Sequence, residues 1–321
     1  MDRAVERADD SVLVVFPGAL GDFLCFLPAL LGLRARHRGR LAIVASPSLV
    51  DLLVLPGVER VSIDRREVAD LFSPEAAVAA ATRAVFGGFA TAYSWTGSGD
   101  AVFARRLAEA TGGGVSVFAF RGMAPGEHAA SYYARCVGVA PRKPSAGHIR
   151  QDDDWLAALE ETQRTLLARG VLVVHPGSGS RTKNWCGHLE LVRRWRRRHD
   201  QRVALLCGPA DADIGSQLDP EAPVFRELSL AQVATLLRTA ALYVGNDSGI
   251  SHLAGVLGVR GAVLFGPSDP SVWAPRGGTL EVLRGADECP TCPPDRFCVH
   301  RLPVREVVAA LERLDDAVVS Q

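Results

Sequence analysis

The residues best suited to chemistry lie in the stretch 243–254, YVGNDSGISHLA. A β-rich run gives way here to an apolar helix, and three side chains that can cap a helix occupy the junction: Asn246, Asp247 and Ser248. Such a turn directs backbone N–H groups and the positive end of the helix dipole at one point, where a diphosphate can bind. Gly249 lets a ligand approach the backbone closely. The alternative is a helix cap without a ligand.

A second polar turn, PGSGSRTKNW at 176–185, follows an apolar run that predicts a strand over 171–175. A Walker A loop needs Gly directly before Lys and Ser or Thr after it, and Lys183 stands between Thr and Asn, which excludes that loop. Backbone and hydroxyl donors for a phosphate are still present at Gly177, Ser178, Gly179 and Ser180. Lys183 adds a compact positive charge for a phosphate oxygen. A solvated loop lysine is the alternative.

Near the beginning of the chain, a predicted strand (11–16) leads through PGALGD (17–22) into an apolar helical run (23–36). This βα unit lacks the full G-x-G-x-x-G fingerprint, so a nicotinamide or flavin site is weakly supported. Asp22 lies beyond the strand's carboxyl end, where open α/β sheets bind ligands. The alternative for Asp22 is a helix N-cap.

The whole chain alternates between strand and helix patterns, which predicts an α/β protein with parallel sheets. In the first half, strands are predicted over 41–45, 60–63, 90–95 and 115–119, and helices over 47–54, 74–86, 100–110 and 128–138. The segment 139–150 indicates a linker. Beyond it, helices are predicted over 152–169, 188–199 and 230–240, and strands over 171–175, 202–207, 224–225, 242–244 and 261–265. Three strands of this second half end in small polar turns, one of them at Gly208-Pro209.

Length and composition narrow the classes of protein. A chain of 321 residues, 48% hydrophobic, is long enough for two core-forming domains. Its 36 basic and 36 acidic residues give zero formal charge, which argues against a nucleic-acid partner. The longest apolar stretch, 11–33, is interrupted by Asp22 and by Pro and Gly, so no transmembrane segment is expected. Seven scattered cysteines favour reduced thiols and a cytoplasmic protein.

Five motifs together resemble glycosyltransferase family 9, the ADP-heptose:lipopolysaccharide heptosyltransferases. They are PGALGD…LPAL (17–30), HPGSGSRTKNW (175–185), GPAD (208–211), GNDSGISHLAG (245–255) and LFGPSDPSVWAP (264–275). The resemblance implies a GT-B fold, in which two Rossmann-like domains with parallel sheets face a central cleft. It implies an acceptor-side domain over 1–150, a nucleotide-sugar-binding domain over 151–302, and a final helix over about 303–315, within 303–321, that packs back on the first domain.

The resemblance also implies roles for individual residues. Asp22 matches the catalytic aspartate, a base for the acceptor hydroxyl, although acceptor orientation stays open as another role. Lys183 matches the lysine that offsets diphosphate charge. The implied donor-binding residues are Gly177, Ser178, Ser180, Lys183, Gly208, Pro209, Asp247, Ser248, Gly249 and His252. The implied acceptor side comprises Gly18, Ala19, Gly21 and Asp22. No catalytic metal and no cofactor beyond the sugar nucleotide, with ADP-heptose as the first candidate, are expected.

Departures from the family pattern leave the acceptor open between a glycan, a lipopolysaccharide core and a small molecule. Phe16-Pro17-Gly18-Ala19 stands where the lipopolysaccharide enzymes often have Arg before a Ser-rich turn. The expected protein is a monomer that can contact a membrane peripherally. Two other functions fit the same motifs: a GT-B enzyme such as a sugar-nucleotide epimerase, and a catalytically silent sugar-nucleotide-binding protein.

The tail contains one further constellation, Cys289-x₂-Cys292-x₅-Cys298-x-His300. Three thiolates and an imidazole at this spacing can hold a structural zinc ion. Cysteines in a Pro-rich loop that pack or stay free are the alternative.

Overall fold

The computed structural model describes residues 10–74, 77–200, 202–211, 222–285 and 298–319. The chain divides into two compact units, Met1–Lys143 and Pro144–Gln321. The division falls inside the segment 139–150 that the sequence indicates as a linker. Each unit contains one parallel sheet, as the strand and helix patterns predict. In the described part of the chain, no helix is both long and apolar enough to span a membrane.

The first sheet has five parallel strands in the order β3-β2-β1-β4-β5. They are β1 (Val12–Val15), β2 (Leu41–Ala45), β3 (Val58–Ser62), β4 (Thr91–Ser94) and β5 (Gly114–Val117). The chain moves outward from β1 through β2 and β3 and then returns to the other side of β1 at β4. In open α/β sheets, ligands bind outside the carboxyl ends of the strands at such a reversal.

The helices described in the first unit are α1 (Leu20–Arg36), α2 (Pro47–Leu52), α3 (Arg66–Asp70), α4 (Ala80–Phe86), α5 (Ala101–Thr111) and α6 (Ala129–Cys136). The sequence did not predict α3, and α4 begins six residues after the predicted start at 74. Helix α1 is buried over most of its length and packs on α6. An aromatic cluster links them to the sheet, with ring centroids 4.5–5.9 Å apart: Phe16, Phe26, Trp95, Phe120 and Tyr133.

The second sheet has six parallel strands in the order β11-β10-β9-β6-β7-β8. They are β6 (Val171–His175), β7 (Val203–Cys207), β8 (Val224–Arg226), β9 (Ala240–Asn246), β10 (Arg260–Phe265) and β11 (Thr279–Arg284). The sequence missed β11, an edge strand whose residues are only partly buried. The strand predicted over 242–244 also ends before β9 does. The reversal of this sheet lies between β6 and β9.

The helices described in the second unit are α7 (Asp153–Ala158), α8 (Glu161–Ala168), α9 (His188–Arg198), α10 (Leu230–Thr239), α11 (Gly249–Leu257), α12 (Pro270–Trp273) and α13 (Val304–Val319). The single helix predicted over 152–169 is two helices. The Arg164 guanidinium donates to the carbonyl groups of Ala157 and Leu159, which satisfies carbonyl oxygens that the end of α7 leaves without helical donors.

The last helix, α13, packs on α9, β9 and β10. Val307, Val308 and Leu311 are buried in the same core as Leu172 and Trp195. The apolar face of α13 is therefore used within the second unit. The contact with the first domain that the family resemblance implies stays a prediction.

Candidate functional site

The turns after β6 and β9 meet at the reversal of the second sheet. The two strands pair directly, with His175 opposite Gly245, so the residues that follow them leave the same edge side by side. This adjacency brings together residues more than sixty positions apart in the sequence. The loop 176–185 and the turn 247–248 therefore form one site at the carboxyl ends of the strands.

Lys183 and Asp247 form the central contact of this site. The Lys183 Nζ atom lies 2.6 Å from Asp247 Oδ2. The Asp247 side chain is 7% exposed and that of Lys183 is 32% exposed, so the carboxylate lies beneath and the ammonium faces outward. Ser268, from the turn after β10, donates its hydroxyl to the same Oδ2 atom at 2.5 Å. Three turns thus converge on one carboxylate oxygen.

Helix α11 begins at this carboxylate. Its N-cap is Ser248, whose hydroxyl accepts the N–H of Ser251, whereas Asn246 still belongs to β9. Gly249 and the next residue occupy the first turn, where backbone N–H groups have no intrahelical acceptor. His252 is buried one position after Ser251. The first turn of α11 therefore has the backbone geometry that the predicted anion site requires, and the binding of a diphosphate there stays a prediction.

Gly177 adjoins the carboxylate of Asp211, the last residue of the motif GPAD (208–211). A Cβ atom at Gly177 would lie 1.9 Å from Asp211 Oδ2, so only glycine leaves room for this side chain. Asp211 is buried in the short turn Pro209–Asp211 and accepts the N–H of Gly208 at 3.0 Å. The predicted residues Gly208 and Pro209 therefore lie beside the loop 176–185, and they bring an acidic group with them.

The hydroxyl groups of the loop 176–185 form contacts within the loop. Ser178 Oγ lies 2.7 Å from the carbonyl oxygen of Ser180 and 2.7 Å from Asn184 Oδ1. Ser180 Oγ lies 3.0 Å from Thr182 Oγ1. These contacts hold the loop in shape around Lys183, so the two serines predicted to bind the donor already have partners within the loop.

Two buried histidines lie under the same loop. His175 Nδ1 donates to the carbonyl of Leu206 at 2.9 Å, and His188 Nδ1 donates to the carbonyl of Trp185 at 2.7 Å. Burial lowers the pKa of His188 to about 4, and burial also lowers the pKa of His175. Both rings are neutral at pH 7 and act as hydrogen-bond supports for the backbone.

In the first unit, Asp22 lies beyond the carboxyl end of β1, at the reversal of that sheet. It is the third residue of α1, whose N-cap is Ala19, so the interpretation of Asp22 as the N-cap residue was wrong. The Asp22 side chain is 10% exposed and its Oδ1 atom lies 3.7 Å from Arg121 Nη2. Gly18 makes this turn possible, because a Cβ atom there would lie 2.4 Å from the Phe16 ring and 2.8 Å from Asp22 Cβ.

Tyr133 completes the surroundings of Asp22. Burial raises the pKa of Tyr133, and the negative charge of Asp22 raises it further. The phenol is therefore protonated at neutral pH and lies 3.4 Å from the carbonyl oxygen of Phe120, to which it donates. The Tyr133 phenol therefore keeps its proton beside the Asp22 carboxyl group.

Residues 136–295 match the profile of glycosyltransferase family 9 (heptosyltransferase). The chain belongs to this family. A comparison with curated proteins found no match.

Solved structures of family 9 proteins share the architecture. A glycosyl transferase family 9 protein from Veillonella parvula DSM 2008 is 18% identical with a TM-score of 0.75, and the alignment covers 96% of this chain and 98% of that one. The E. coli ADP-heptose lps heptosyltransferase II is 17% identical, with a TM-score of 0.71 and coverage of 96% and 99%. The dodecameric iron-containing heptosyltransferase TibC of E. coli, in complex with ADP-D-beta-D-heptose, is 18% identical, with a TM-score of 0.61 and coverage of 97% and 77%. These similarities show the GT-B fold.

Half of the predicted cysteine site lies outside the described residues, because Cys289 and Cys292 fall in the segment 286–297. Cys298 is buried, and His300 is exposed in the short turn Val299–Arg301. Among the described residues, no group of three or more metal-ligating side chains is present. The zinc hypothesis stays a prediction.

Sequence reasoning gave no functional role to three residues of the site in the second unit, Asp211, Asn246 and Ser268, or to Arg121, which lies beside Asp22 in the first unit. Asp211, Asn246 and Ser268 each lie inside a recognised motif: GPAD (208–211), GNDSGISHLAG (245–255) and LFGPSDPSVWAP (264–275). The motifs alone did not indicate which contacts these side chains make. Arg121 follows no motif, and only the fold brings it to Asp22.

Proposed function

We propose that the chain is an inverting glycosyltransferase that moves a heptose from ADP-heptose to a hydroxyl group of a glycan, a lipopolysaccharide core or a small-molecule acceptor. Membership of family 9 supports the reaction class, and the names of two structural relatives support the donor. One observation carries the proposal: the Lys183 ammonium is held 2.6 Å from a buried carboxylate beside the N-terminus of α11. This arrangement suits a diphosphate that gains charge as it leaves.

The donor diphosphate would bind between the loop 176–185 and the first turn of α11. As the bond from the anomeric carbon to the diphosphate breaks, negative charge accumulates on the leaving oxygen. The N–H groups at Gly249 and the ammonium of Lys183 offset that charge in the transition state more than in the ground state, which lowers the barrier. Removal of one such preorganised donor typically lowers turnover about 10²–10³-fold.

The identity of residue 183 supports this role. The chain contains two lysines, Lys143 and Lys183, and otherwise uses arginine for its basic residues. An ammonium is a compact charge with three donors, whereas a guanidinium is a planar fork. One N–H group of the Lys183 ammonium donates to Asp247, and the other two can donate to two different phosphate oxygens.

Asp247 acts through Lys183 in this proposal rather than on the diphosphate. A carboxylate would repel the phosphate oxygens, and its Oδ2 atom already accepts from Lys183 and from Ser268. A buried carboxylate with two donors fixes the ammonium in one position. Asp247, predicted as a donor-binding residue, is therefore proposed as the residue that positions Lys183.

Asp22 is the proposed base on the acceptor. Its carboxylate takes the proton of the acceptor hydroxyl while that oxygen attacks the anomeric carbon from the face opposite the leaving diphosphate. The new glycosidic bond forms as the old carbon–oxygen bond breaks, and ADP leaves with the electron pair. General-base catalysis of this kind contributes about 10²–10⁴-fold to turnover.

We further propose that transfer needs no divalent ion, because protein groups offset the diphosphate charge. TibC is described as iron-containing, so metal content and activity have to be measured together. We expect activity to persist in EDTA. Elemental analysis before and after chelation shows whether any metal is present, and a stoichiometric metal that is lost together with activity would overturn this assignment.

The test of the function is a transfer assay on the purified chain. A thermal-shift screen of ADP-, GDP-, UDP- and dTDP-sugars first identifies the donor. That donor is then incubated with a panel of glycan, lipopolysaccharide-core and small-molecule acceptors, and released nucleoside diphosphate and acceptor mass are measured. We expect equimolar release of ADP and gain of one heptose. An isomerised sugar nucleotide without an acceptor would indicate an epimerase, and binding without turnover across the panel would indicate a silent binding protein.

A further inference from the structure

Asn246 has no exposed surface, and its side-chain amide has three hydrogen bonds. Nδ2 donates to the carbonyl oxygens of Pro176 at 2.7 Å and Gly177 at 3.3 Å. Oδ1 accepts the backbone N–H of Trp185 at 3.1 Å. These partners are the first two residues and the last residue of the loop 176–185. One amide therefore joins both ends of the loop that carries Lys183.

The rest of the loop depends on these ends. Inside it, the N–H of Lys183 donates to the carbonyl of Ser180 at 3.0 Å, and that of Asn184 donates to the carbonyl of Arg181 at 3.1 Å. These short-range bonds shape the loop without attaching it to the sheet. At its far end, Trp185 is buried and its indole N–H donates to the carbonyl of Leu302 at 2.9 Å. Lys183 lies two residues before this anchored tryptophan.

Asn246 also connects the loop to α11. Its backbone carbonyl accepts the hydroxyl of Ser251 at 2.6 Å, and the same hydroxyl contacts the phenol of Tyr243 at 2.9 Å. The residue therefore lies at the junction of β6, β9 and α11. An amide supplies two donors and an acceptor at once, which neither a carboxylate nor a hydroxyl can do.

We infer that Asn246 is a positioning residue, which closes the loop 176–185 and thereby holds Lys183 where the leaving diphosphate needs it. The second half of this statement rests on the proposed function, and the first half does not. Replacement by Asp keeps the shape and the acceptor but removes both donors and puts a negative oxygen against two carbonyl groups. The loop should then open locally while the sheet remains folded.

The chain offers an unusually selective probe of this loop. A protease that cuts only after lysine has two sites, the bonds that follow Lys143 and Lys183, and cleavage at each bond yields fragments of a different mass. Mass spectrometry of the fragments therefore measures cleavage at the bond between Lys183 and Asn184. The substitutions compared are Asn246→Asp, Asn246→Ser, which adds no charge, and Thr235→Val as the control. Thr235 is also fully buried in the second unit and donates to the carbonyl of Ala231, away from the loop.

We expect the bond after Lys183 to be cut on the order of tenfold faster or more in the Asn246 variants than in Thr235→Val. Each variant is digested at the same interval below its own melting temperature, so that a difference in overall stability does not decide the rate. In the transfer assay, kcat should fall with the loop opening, whereas Thr235→Val should keep kcat. If Asn246→Asp does not fold, Asn246→Ser supplies the same comparison. Cleavage no faster than in Thr235→Val would overturn the positioning role. Faster cleavage with an unchanged kcat would show that the loop does not serve transfer, which contradicts the proposed function and not the closure of the loop.

Discussion

Lys183 in the second unit and Asp22 in the first each lie beside an opposite charge, but these two ion pairs differ in geometry and burial. The Lys183–Asp247 contact is 2.6 Å long and its carboxylate is 7% exposed, whereas Arg121 lies 3.7 Å from Asp22 and is 63% exposed. A short, buried pair with a further hydroxyl donor keeps one geometry. A long pair with a solvated guanidinium contributes roughly 0–1 kcal/mol and readily rearranges.

The contacts that hold Lys183 and Asp22 in place also differ between the two units. The loop of Lys183 is tied by hydrogen bonds to Asn246 of β9 and to the carbonyl of Leu302, and its Gly177 fits closely against Asp211. Asp22 lies on α1, which an aromatic cluster fixes to the first sheet. The difference indicates that the proposed donor side is preorganised down to its loops, whereas the proposed acceptor side combines a fixed carboxylate with an adjustable cation. If the proposed function holds, donor recognition should therefore tolerate fewer changes than acceptor recognition.

The largest expected effect is at Asp22. Asp22→Asn removes the proposed base, so kcat should fall about 10²–10⁴-fold at saturating donor. Stability should change little, because Asp22 is not the N-cap of α1 and its ion pair is solvated. Steady-state kinetics with varied acceptor provide the measurement. A raised acceptor KM with near-normal kcat would instead assign Asp22 to acceptor orientation.

Lys183→Ala tests the preorganised side, with an expected loss of about 10²–10³-fold in kcat. This change also leaves Asp247 buried without its cation, which can disturb the loop. The double variant Lys183→Ala, Asp247→Asn removes that charge as well and should remain equally slow. Lys143→Ala is the matched control and should be fully active. Recovery of turnover in the double variant would show that the unpaired carboxylate, and not the lost ammonium, was responsible.

The neutral histidines predict an acid-sensitive second unit. The pKa of His188 in the folded chain is about 4, below the usual 6.5, so the unfolded chain binds more protons below pH 6.5. The free energy of unfolding should therefore fall as the pH drops from 6.5 towards 4, by about 3 kcal/mol for this residue. Denaturant unfolding across this range measures it. His188→Asn keeps a donor for the Trp185 carbonyl and should flatten the profile, and an unchanged slope would contradict the assignment to His188.

Gly177→Ala tests how tightly the loop fits against Asp211. The added Cβ would lie 1.9 Å from the carboxylate, so the side chain or the loop has to move, and unfolding should become easier by about 1–3 kcal/mol. Gly179→Ala in the same loop is the control, because its Cβ would meet no atom within 4 Å. Thermal unfolding of both variants gives the comparison. Equal stability would mean that this part of the donor side is less rigid than described.

The smallest effect is expected at Arg121. Arg121→Gln removes a solvated ion pair, so the free energy of unfolding should change by less than about 1 kcal/mol and kcat by roughly fivefold or less. Arg105→Gln, which removes the ion pair of a comparably exposed arginine with Glu109, is the control. A loss as large as that of Lys183→Ala would show that both sides of the chemistry are equally preorganised.

The sequence predicted the parallel sheets well because buried parallel strands form continuous apolar runs. It was less successful where burial is partial, as in β11, or where a side chain ends a helix, as Arg164 does between α7 and α8. Of the site, the motifs identified Lys183 and Asp247 but gave no indication that they form an ion pair. That contact depends on the pairing of β6 with β9, which brings together positions 64 residues apart.

Asn246 in the second unit and Arg121 in the first lacked a local signal for their contacts for a similar reason. Asn246 looked like a helix cap because it precedes a helix, but its partners are in a distant loop. Arg121 looked like one arginine among many. Long-range hydrogen bonds of this kind follow from topology, and composition or spacing does not report them.

The position of α13 affects how the chain folds during translation. Residues 1–143 contain every strand of the first sheet, so that unit can fold while the second is still being translated. In the second unit, the core is closed by Val307, Val308 and Leu311, and the indole of Trp185 needs the carbonyl of Leu302. The core of the nascent second unit therefore stays incomplete until this helix has left the ribosome. A ribosome stalled before this helix is made should carry a folded first unit together with a loop 176–185 that is still open to proteases.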